Sequence, residues 1–335
     1  MSLPSRPLGP SAVSAVSLGC MNLNHAYSGF PTGEEAIRLL NRALDLGVTM
    51  LDTAALYGDG RNEALVAKAV GHRRSEYRLA SKCVLGLFDG KRGLNGSPAA
   101  IAATLDGALE RLGTDHIDLY YLHRLDPNVP VEESVGALVR AKEAGKIGAI
   151  GLSEMSAEML RRAHAVHPIA AMQSEYSPIS RNVELAILDT CRELGAAFVA
   201  FSPVARGLLA GGIRSDDYPA GDLRSAMPRY VGPALAENLR LVDAFDAIAA
   251  EAGCTPAQLA LAWVLAQGDH IVALPGTTSL AHLEEDVATL SVAVPNAALA
   301  AVTSLFPPNA ATGARYPAMQ QSQVGTELFP GETLA

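Results

Sequence analysis

Residues 48–60 read Val48-Thr49-Met50-Leu51-Asp52-Thr53-Ala54-Ala55-Leu56-Tyr57-Gly58-Asp59-Gly60. The apolar run at the front has the look of a strand, and the glycines at the back mark a loop. Asp52 closes the run. Tyr57 follows on the loop, so a carboxylate and a phenol lie at and just past one strand end. Taken alone this is ordinary, because Asp often opens a turn and Tyr is often half buried. Its meaning depends on how the other strands of the chain end.

Outward from this stretch, strand and helix signals alternate. A strand over 13–21 ends at Asn22. Thr32-Gly33-Glu34-Glu35 is a capping-box pattern, and the helix after it carries Ile37, Leu40 and Leu44 before stopping at Gly47. A helix over about 62–70 follows Tyr57, and the third strand, 77–81, ends at Lys82. Ser97-Pro98 opens a helix with Ile101, Leu105, Leu109 and Leu112 at helical spacing, closed by Gly113. The fourth strand, 117–122, ends at His123. Helix 131–144 leads to strand 147–152, ending at Ser153. A helix from Ser156 leads to strand 169–172, ending at Gln173. Helix 183–194 leads to strand 196–201, ending at Ser202. Residues 207–233 are rich in Gly, Pro, Asp and Arg without a clear period, the mark of a long functional loop. Helices over about 236–252 and 256–266 precede the eighth strand, 271–274. A last barrel-type helix spans 280–290, and an irregular tail runs from Phe306.

Continuously apolar strands are buried on both faces, as in a parallel sheet covered by helices. The expected fold class is α/β, a (β/α)8 TIM barrel forming a single domain over 1–335. The barrel spans about 13–292 and the tail about 306–335. A doubly wound open sheet is the alternative, but Gly58-Asp59-Gly60 lacks the third glycine of a dinucleotide fingerprint.

Composition narrows the function. The chain has 335 residues, 49% hydrophobic and 18% charged, with a formal net charge of −9. That charge argues against nucleic acid or an anionic membrane as general partners. No apolar run reaches the roughly 18 residues of a membrane span, and the first residues lack a signal-peptide core. Cys20, Cys83, Cys191 and Cys254 are widely spaced, as expected of reduced thiols in a cytoplasmic protein. His164 and His167 form an H-x-x-H pair with no evident third ligand, so no metal site is expected.

In a barrel, groups at the C-terminal strand ends face one cup. A lysine there is costly unless paired. Asp52 is the expected partner of Lys82, and Tyr57 is within reach of the same ammonium. A phenol with an ordinary pKa near 10 is a weak acid, and a neighbouring ammonium favours its ionisation. His123 would orient a carbonyl or assist proton transfer. The set suits protonation of a carbonyl oxygen as electrons reach its carbon, and it holds no nucleophile for hydrolysis. Gly151-Leu152-Ser153-Glu154-Met155 lacks the closing glycine of a nucleophile elbow.

These residues resemble the aldo-keto reductases, within them the bacterial and potassium-channel-subunit-like branch. The resemblance covers roughly residues 6–317. Its motifs are Leu51-Asp52-Thr53-Ala54 with Tyr57, Ser81-Lys82, Tyr121-Leu122-His123, Gly151-Leu152-Ser153-Glu154, Gln173-Ser174-Glu175-Tyr176, Phe201-Ser202-Pro203 with Arg206-Gly207, and Pro275-Gly276-Thr277-Thr278. The resemblance implies an NAD(P)H-dependent reductase of small aldehydes or ketones. Its tetrad would be Asp52, Tyr57, Lys82 and His123, with Tyr57 as the acid. Ser153 and Gln173 would hold the nicotinamide carboxamide, near Met21, Asn22 and Asp52. Phe201 would stack on the ring. Ser202, Val204, Arg206 and Gly207 would follow the pyrophosphate. The adenosine end would lie along Gly276, Thr277, Thr278, His282, Glu285 and Asp286, at a helix N-terminus.

Four departures stand out. Residues 276–286 hold no Lys or Arg, His282 stands where arginine is frequent, and Asp286 stands where asparagine is frequent. Glu154 replaces an asparagine found in some relatives. NADPH is the favoured cofactor, NADH the alternative, with Arg214, Arg224 or Arg229 of the long loop as compensating cations. The second functional reading is a nucleotide-binding, redox-sensing module with slow turnover.

Overall fold

A computed structural model describes residues 3–88, 90–332 and Leu334. Strands β1 (Ser5–Leu8) and β2 (Ser11–Ser14) form an antiparallel hairpin. Then come β3 (Leu18–Gly19), α1 (Gly33–Asp45), β4 (Met50–Asp52), α2 (Arg61–Val70) and β5 (Arg78–Cys83). A second antiparallel hairpin, β6 (Leu85–Phe88) and β7 (Lys91–Leu94), precedes α3 (Pro98–Leu112). The regular alternation resumes with β8 (Ile117–Leu122), α4 (Val131–Glu143), β9 (Ile147–Ser153), α5 (Ala157–Val166), β10 (Ala171–Glu175), α6 (Ile187–Leu194) and β11 (Ala197–Phe201). After the long loop come α7 (Gly232–Glu251), α8 (Pro256–Ala266), β12 (Ile271–Leu274), α9 (Leu280–Ala288), α10 (Asn296–Leu305) and the short α11 (Ala318–Gln321).

The eight-stranded sheet runs β3-β4-β5-β8-β9-β10-β11-β12, with every registered pair parallel. Its two edges meet. The Ser17 N–H donates to Ala273 O at 2.9 Å, and Gly19 N–H to Pro275 O at 2.8 Å. The result is a nearly closed (β/α)8 barrel with helices outside, as its continuous apolar strands required.

Period-two alternation sets the site. Met50, Ala80, Leu119, Ala149, Ala171, Ala197 and Val272 form the barrel interior, while Leu51, Tyr120, Ile150, Leu152, Met172, Phe198 and Ala273 join the shell beneath the helices. Two residues on from the interior positions, Asp52, Lys82 and Gln173 therefore point inward at the mouth, as does Ser153, four on from Ala149. His123 follows from Tyr121 in the same way.

Three elements depart from the sequence expectation. The strand expected over 13–21 is split. Val13 and Ser14 belong to the N-terminal hairpin, only Leu18 and Gly19 count as barrel strand, and Met21–Leu23 is a 3₁₀ turn. Leu8 and Val13 pack into the barrel interior, so the hairpin closes the end opposite the site. The turn signal was present as Gly9-Pro10, with Gly9 at φ 53°. The β6–β7 hairpin was not foreseen, and helix α10 extends the helical layer past residue 292.

The tail is irregular but pinned. Glu154 Oε2 accepts from Arg315 Nη2 at 2.6 Å and from Thr326 Oγ1 at 3.1 Å, all buried. Glu154 thus serves as the tail's anchor. Among the described residues, no single helix is long and apolar enough to cross a membrane.

Tyr121 and Gly151 are register partners on adjacent strands. A Cβ on Gly151 would land inside the contact distance of the fully buried Tyr121 ring. Gly151→Ala is therefore expected to lower unfolding free energy by roughly 1–3 kcal/mol in urea titration, through overpacking.

Candidate active site

The mouth of the barrel opens into a cavity of about 570 Å³, within the size range of small-molecule sites. Lys82 lies under its floor with no solvent exposure. Its ammonium donates to Asp52, to Thr53 O at 2.9 Å and to the Tyr57 hydroxyl at 3.5 Å. Gln173 Nε2 donates to the other Asp52 oxygen at 2.9 Å. The Tyr57 ring meets His123 edge-on, centroids 5.8 Å apart. Asp52 and Lys82 come from neighbouring strands, and register places Lys82 beside Tyr121.

The protonation states follow from surroundings. Burial works against the Lys82 ammonium, yet Asp52 and Tyr57 hold its pKa above the usual lysine value. It stays charged at neutral pH. Burial raises the Tyr57 phenol, and the Lys82 charge offsets only part of the rise. The expected lowering is thus present as one influence but is outweighed, and Tyr57 keeps its proton at neutral pH. Burial, then Arg124, Lys82, Arg92 and His25, push His123 well below the ordinary imidazole pKa, so it stays neutral.

The remaining candidates gather around the same cavity. Met21, Asn22, Ser153, Gln173 and Phe201 line the part near Tyr57 and His123. Ser202, Val204, Arg206 and Gly207 line the wall after β11. Gly276, Thr277, Thr278, His282, Glu285 and Asp286 line the wall made by α9 and the turn before it. Lys82 alone of the tetrad does not reach the cavity surface. Arg206 is already paired: its Nη2 donates to Glu175 at 2.7 Å and to the Tyr316 hydroxyl at 3.2 Å. Of the three loop arginines, Arg224 lines the cavity and pairs with Asp222 at 2.7 Å. Arg214 pairs with Asp246 on α7, and Arg229 is buried against Gly313 O and Ser180.

Backbone strain concentrates here. Asp59, Val84, Glu154, Ser202, Ala205 and Arg206 have positive φ, and each follows a barrel strand. Left-handed backbone costs a non-glycine residue on the order of 1 kcal/mol. The cluster fits a rim where chains are turned to aim groups into the cavity.

The sequence reading missed His25 and Arg92. His25 stacks on Tyr57 with centroids 5.5 Å apart and accepts from Gly58 N–H at 3.3 Å. Its loop position after a short strand carried no signal. Arg92 sits on the unforeseen β7 and lines the cavity with Arg124. Tyr27 and Tyr316 also line it.

The chain belongs to the aldo/keto reductase family. The model of that family matches residues 15–306. A Schizosaccharomyces pombe protein, aldo-keto reductase yakc, carries NADP(+) in its name. The two are 42% identical over 340 residues, covering 98% of this chain and 99% of that one. Among solved structures, the glycerol dehydrogenase of Gluconobacter oxydans superposes with TM-score 0.83 at 25% identity, covering 100% of both chains. An aldo/keto reductase of Klebsiella pneumoniae, solved with NADP and acetate, gives TM-score 0.70 at 26% identity, covering 92% of this chain and 96% of that one.

Asp286 is buried on this wall, and burial followed by the Glu285 charge lifts its carboxyl from 3.8 to about 7. Between those values the folded chain holds a proton that the unfolded chain has released. Stability therefore falls as pH rises from 4 to 7, and the deficit is complete at pH 8. Asp286→Asn removes it. The variant's gain in melting midpoint should be larger at pH 8 than at pH 5, by about 2 °C or more in differential scanning fluorimetry.

Proposed function

We propose that the protein reduces aldehydes or ketones with NADPH, and that Tyr57 gives the proton. The observation that carries the reading is the Lys82 ammonium placed 3.5 Å from the Tyr57 hydroxyl at the cavity floor. The relative named for NADP(+) and the Klebsiella enzyme solved with NADP support the cofactor.

The residues present fit a dinucleotide. The cavity runs from Tyr57 along the wall after β11 to the start of α9. Phe201 offers an aromatic face. Near the α9 N-terminus, Thr277 and Thr278 and free backbone N–H groups suit a phosphate. Arg224, already paired with Asp222, is the loop arginine that lines this cavity. Gln173, held by Asp52, and Ser153 stand where an amide would be oriented. When bound, the reduced nicotinamide supplies a hydride to the carbonyl carbon.

The chain's own groups handle the oxygen. As a C–H bond forms at the carbonyl carbon, the π electrons move to oxygen, and that oxygen takes the Tyr57 proton. The phenolate left behind faces the Lys82 ammonium, whose attraction strengthens as the charge develops. Asp52 keeps the ammonium protonated and aimed. His123, neutral, donates its ring N–H to the same oxygen without adding a charge.

Tyr57→Phe should lower kcat for 4-nitrobenzaldehyde by about 10²-fold or more, while NADPH binding, read by cofactor fluorescence, is retained. Wild-type kcat in that variant would remove the proton-donor role. Separate titrations with NADPH and NADH should give tighter binding for NADPH.

A further inference from the structure

The wall beside Tyr57 carries more positive charge than the proposed reduction of a neutral carbonyl uses. Arg92 on β7 and Arg124 just after His123 both line the cavity. Among the described residues neither guanidinium is paired with a carboxylate. Arg124 Nη1 donates to its neighbour's carbonyl, His123 O, at 2.7 Å and to Ser153 Oγ at 3.4 Å. Among the described residues no group accepts from the Arg92 guanidinium, and partial burial and the Arg124 charge lower its pKa. Two like charges close enough to disfavour one another are a cost to the fold.

Their position is tied to the reacting atoms. Arg124 acts on both Tyr57 and His123, and Arg92 acts on His123 and His25. Both arginines line the same cavity as Tyr57 and His123. The cavity's carboxylates do not offset them. Asp52 is engaged by Lys82 and Gln173, while Glu285 and Asp286 belong to α9. The surplus also stands out in a chain of net charge −9. Unpaired arginines at one spot of a cavity suit a bound carboxylate or phosphate, which a guanidinium meets with two parallel hydrogen bonds.

We infer that the substrate is an aldehyde or ketone carrying a second, anionic group, which Arg92 and Arg124 hold while the carbonyl meets Tyr57. The inference rests on the reductase reading and deepens it. The anion brings its own countercharge to the arginine pair, so binding relieves a repulsion present in the free enzyme. It also orients the substrate, because only one end can reach the guanidiniums. Arg92, on a hairpin edge and more exposed than Arg124, would act as the adjustable arm, and Arg124, fixed by two hydrogen bonds, as the reference point.

Matched substrates test this with the intact enzyme and NADPH. One pair is 4-carboxybenzaldehyde and methyl 4-formylbenzoate; the other is glyceraldehyde 3-phosphate and glyceraldehyde. The expected result is a kcat/KM ratio of anion to neutral of about tenfold or more in at least one pair. The pair that shows it tells a carboxylate from a phosphate. In Arg92→Ala and in Arg124→Ala the ratio should fall towards one, mostly through KM, and Arg92→Glu should reverse it. Unaltered melting midpoints show that the variants are folded. Ratios near one for both pairs in the wild type overturn the inference. So does an Arg92→Ala variant whose ratio is unchanged while NADPH binding weakens, since the charge would then serve the nucleotide. Turnover of the neutral member of each pair reports separately on the reductase reading, which survives if that turnover persists and depends on Tyr57.

Discussion

A fully buried ammonium organises this molecule. Lys82 has no solvent exposure, and taking a lone charge into a protein interior costs several kcal/mol. The chain meets that cost with Asp52, Thr53 O and the Tyr57 hydroxyl. Each partner is itself constrained. Asp52 is tied to Gln173 on β10, Thr53 to Asn62 on α2, and Tyr57 is bracketed by His25 and His123. Tyr121 fills the barrel beneath, its ring 5.7 Å from the ammonium, and needs the space left by Gly151. One charge thereby dictates the contents of several strands.

A second ionic cluster holds the wall behind the cavity. Glu154 and Glu175, both buried, are shared among Arg206, Arg229 and Arg315. Burial alone would raise the Glu175 carboxyl, but Arg206, Arg315 and Arg229 hold it at about 2. These contacts join strand ends, the long loop and the tail. Arg315 and Thr326 reach Glu154 from the tail, Arg206 and Arg229 come from the loop region, and Tyr316, Gln320 and Gln323 thereby reach the cavity. The irregular segments are ordered by paired charge where regular hydrogen-bond ladders are absent.

The long loop closes over the opening from the other direction. Leu223 N–H donates to Ala26 O at 2.8 Å, and Asp222 accepts from Ser28 at 3.3 Å. The loop therefore rests on the segment after β3, beside His25 and Tyr57. Arg224, paired with Asp222, lies over the rings of Tyr27 and Tyr218. Cavity walls thus come from residues remote in sequence, which is the usual consequence of placing a site on barrel loops.

Seven of the eight barrel strands were legible in the order of residues, because burial on both faces demands uninterrupted apolar runs and only their ends can be polar; the first was read over 13–21, of which the barrel sheet takes only Leu18 and Gly19. Capping at Thr32 and Ser97 was legible too, since a cap is satisfied within its own turn. Lys82 with Asp52 could be paired in advance, because a buried lysine must find an acid. Contacts between distant segments were not readable. Nothing near Glu154 in the sequence pointed to Arg315, 161 positions away, which pairs with it. Arg206 looked free for a phosphate until Glu175 took it. Arg92 had no local pattern at all. Spacing along the chain determined which elements form and which way their side chains face. Only packing in three dimensions decided which charges meet, since attraction depends on distance through space and not along the backbone.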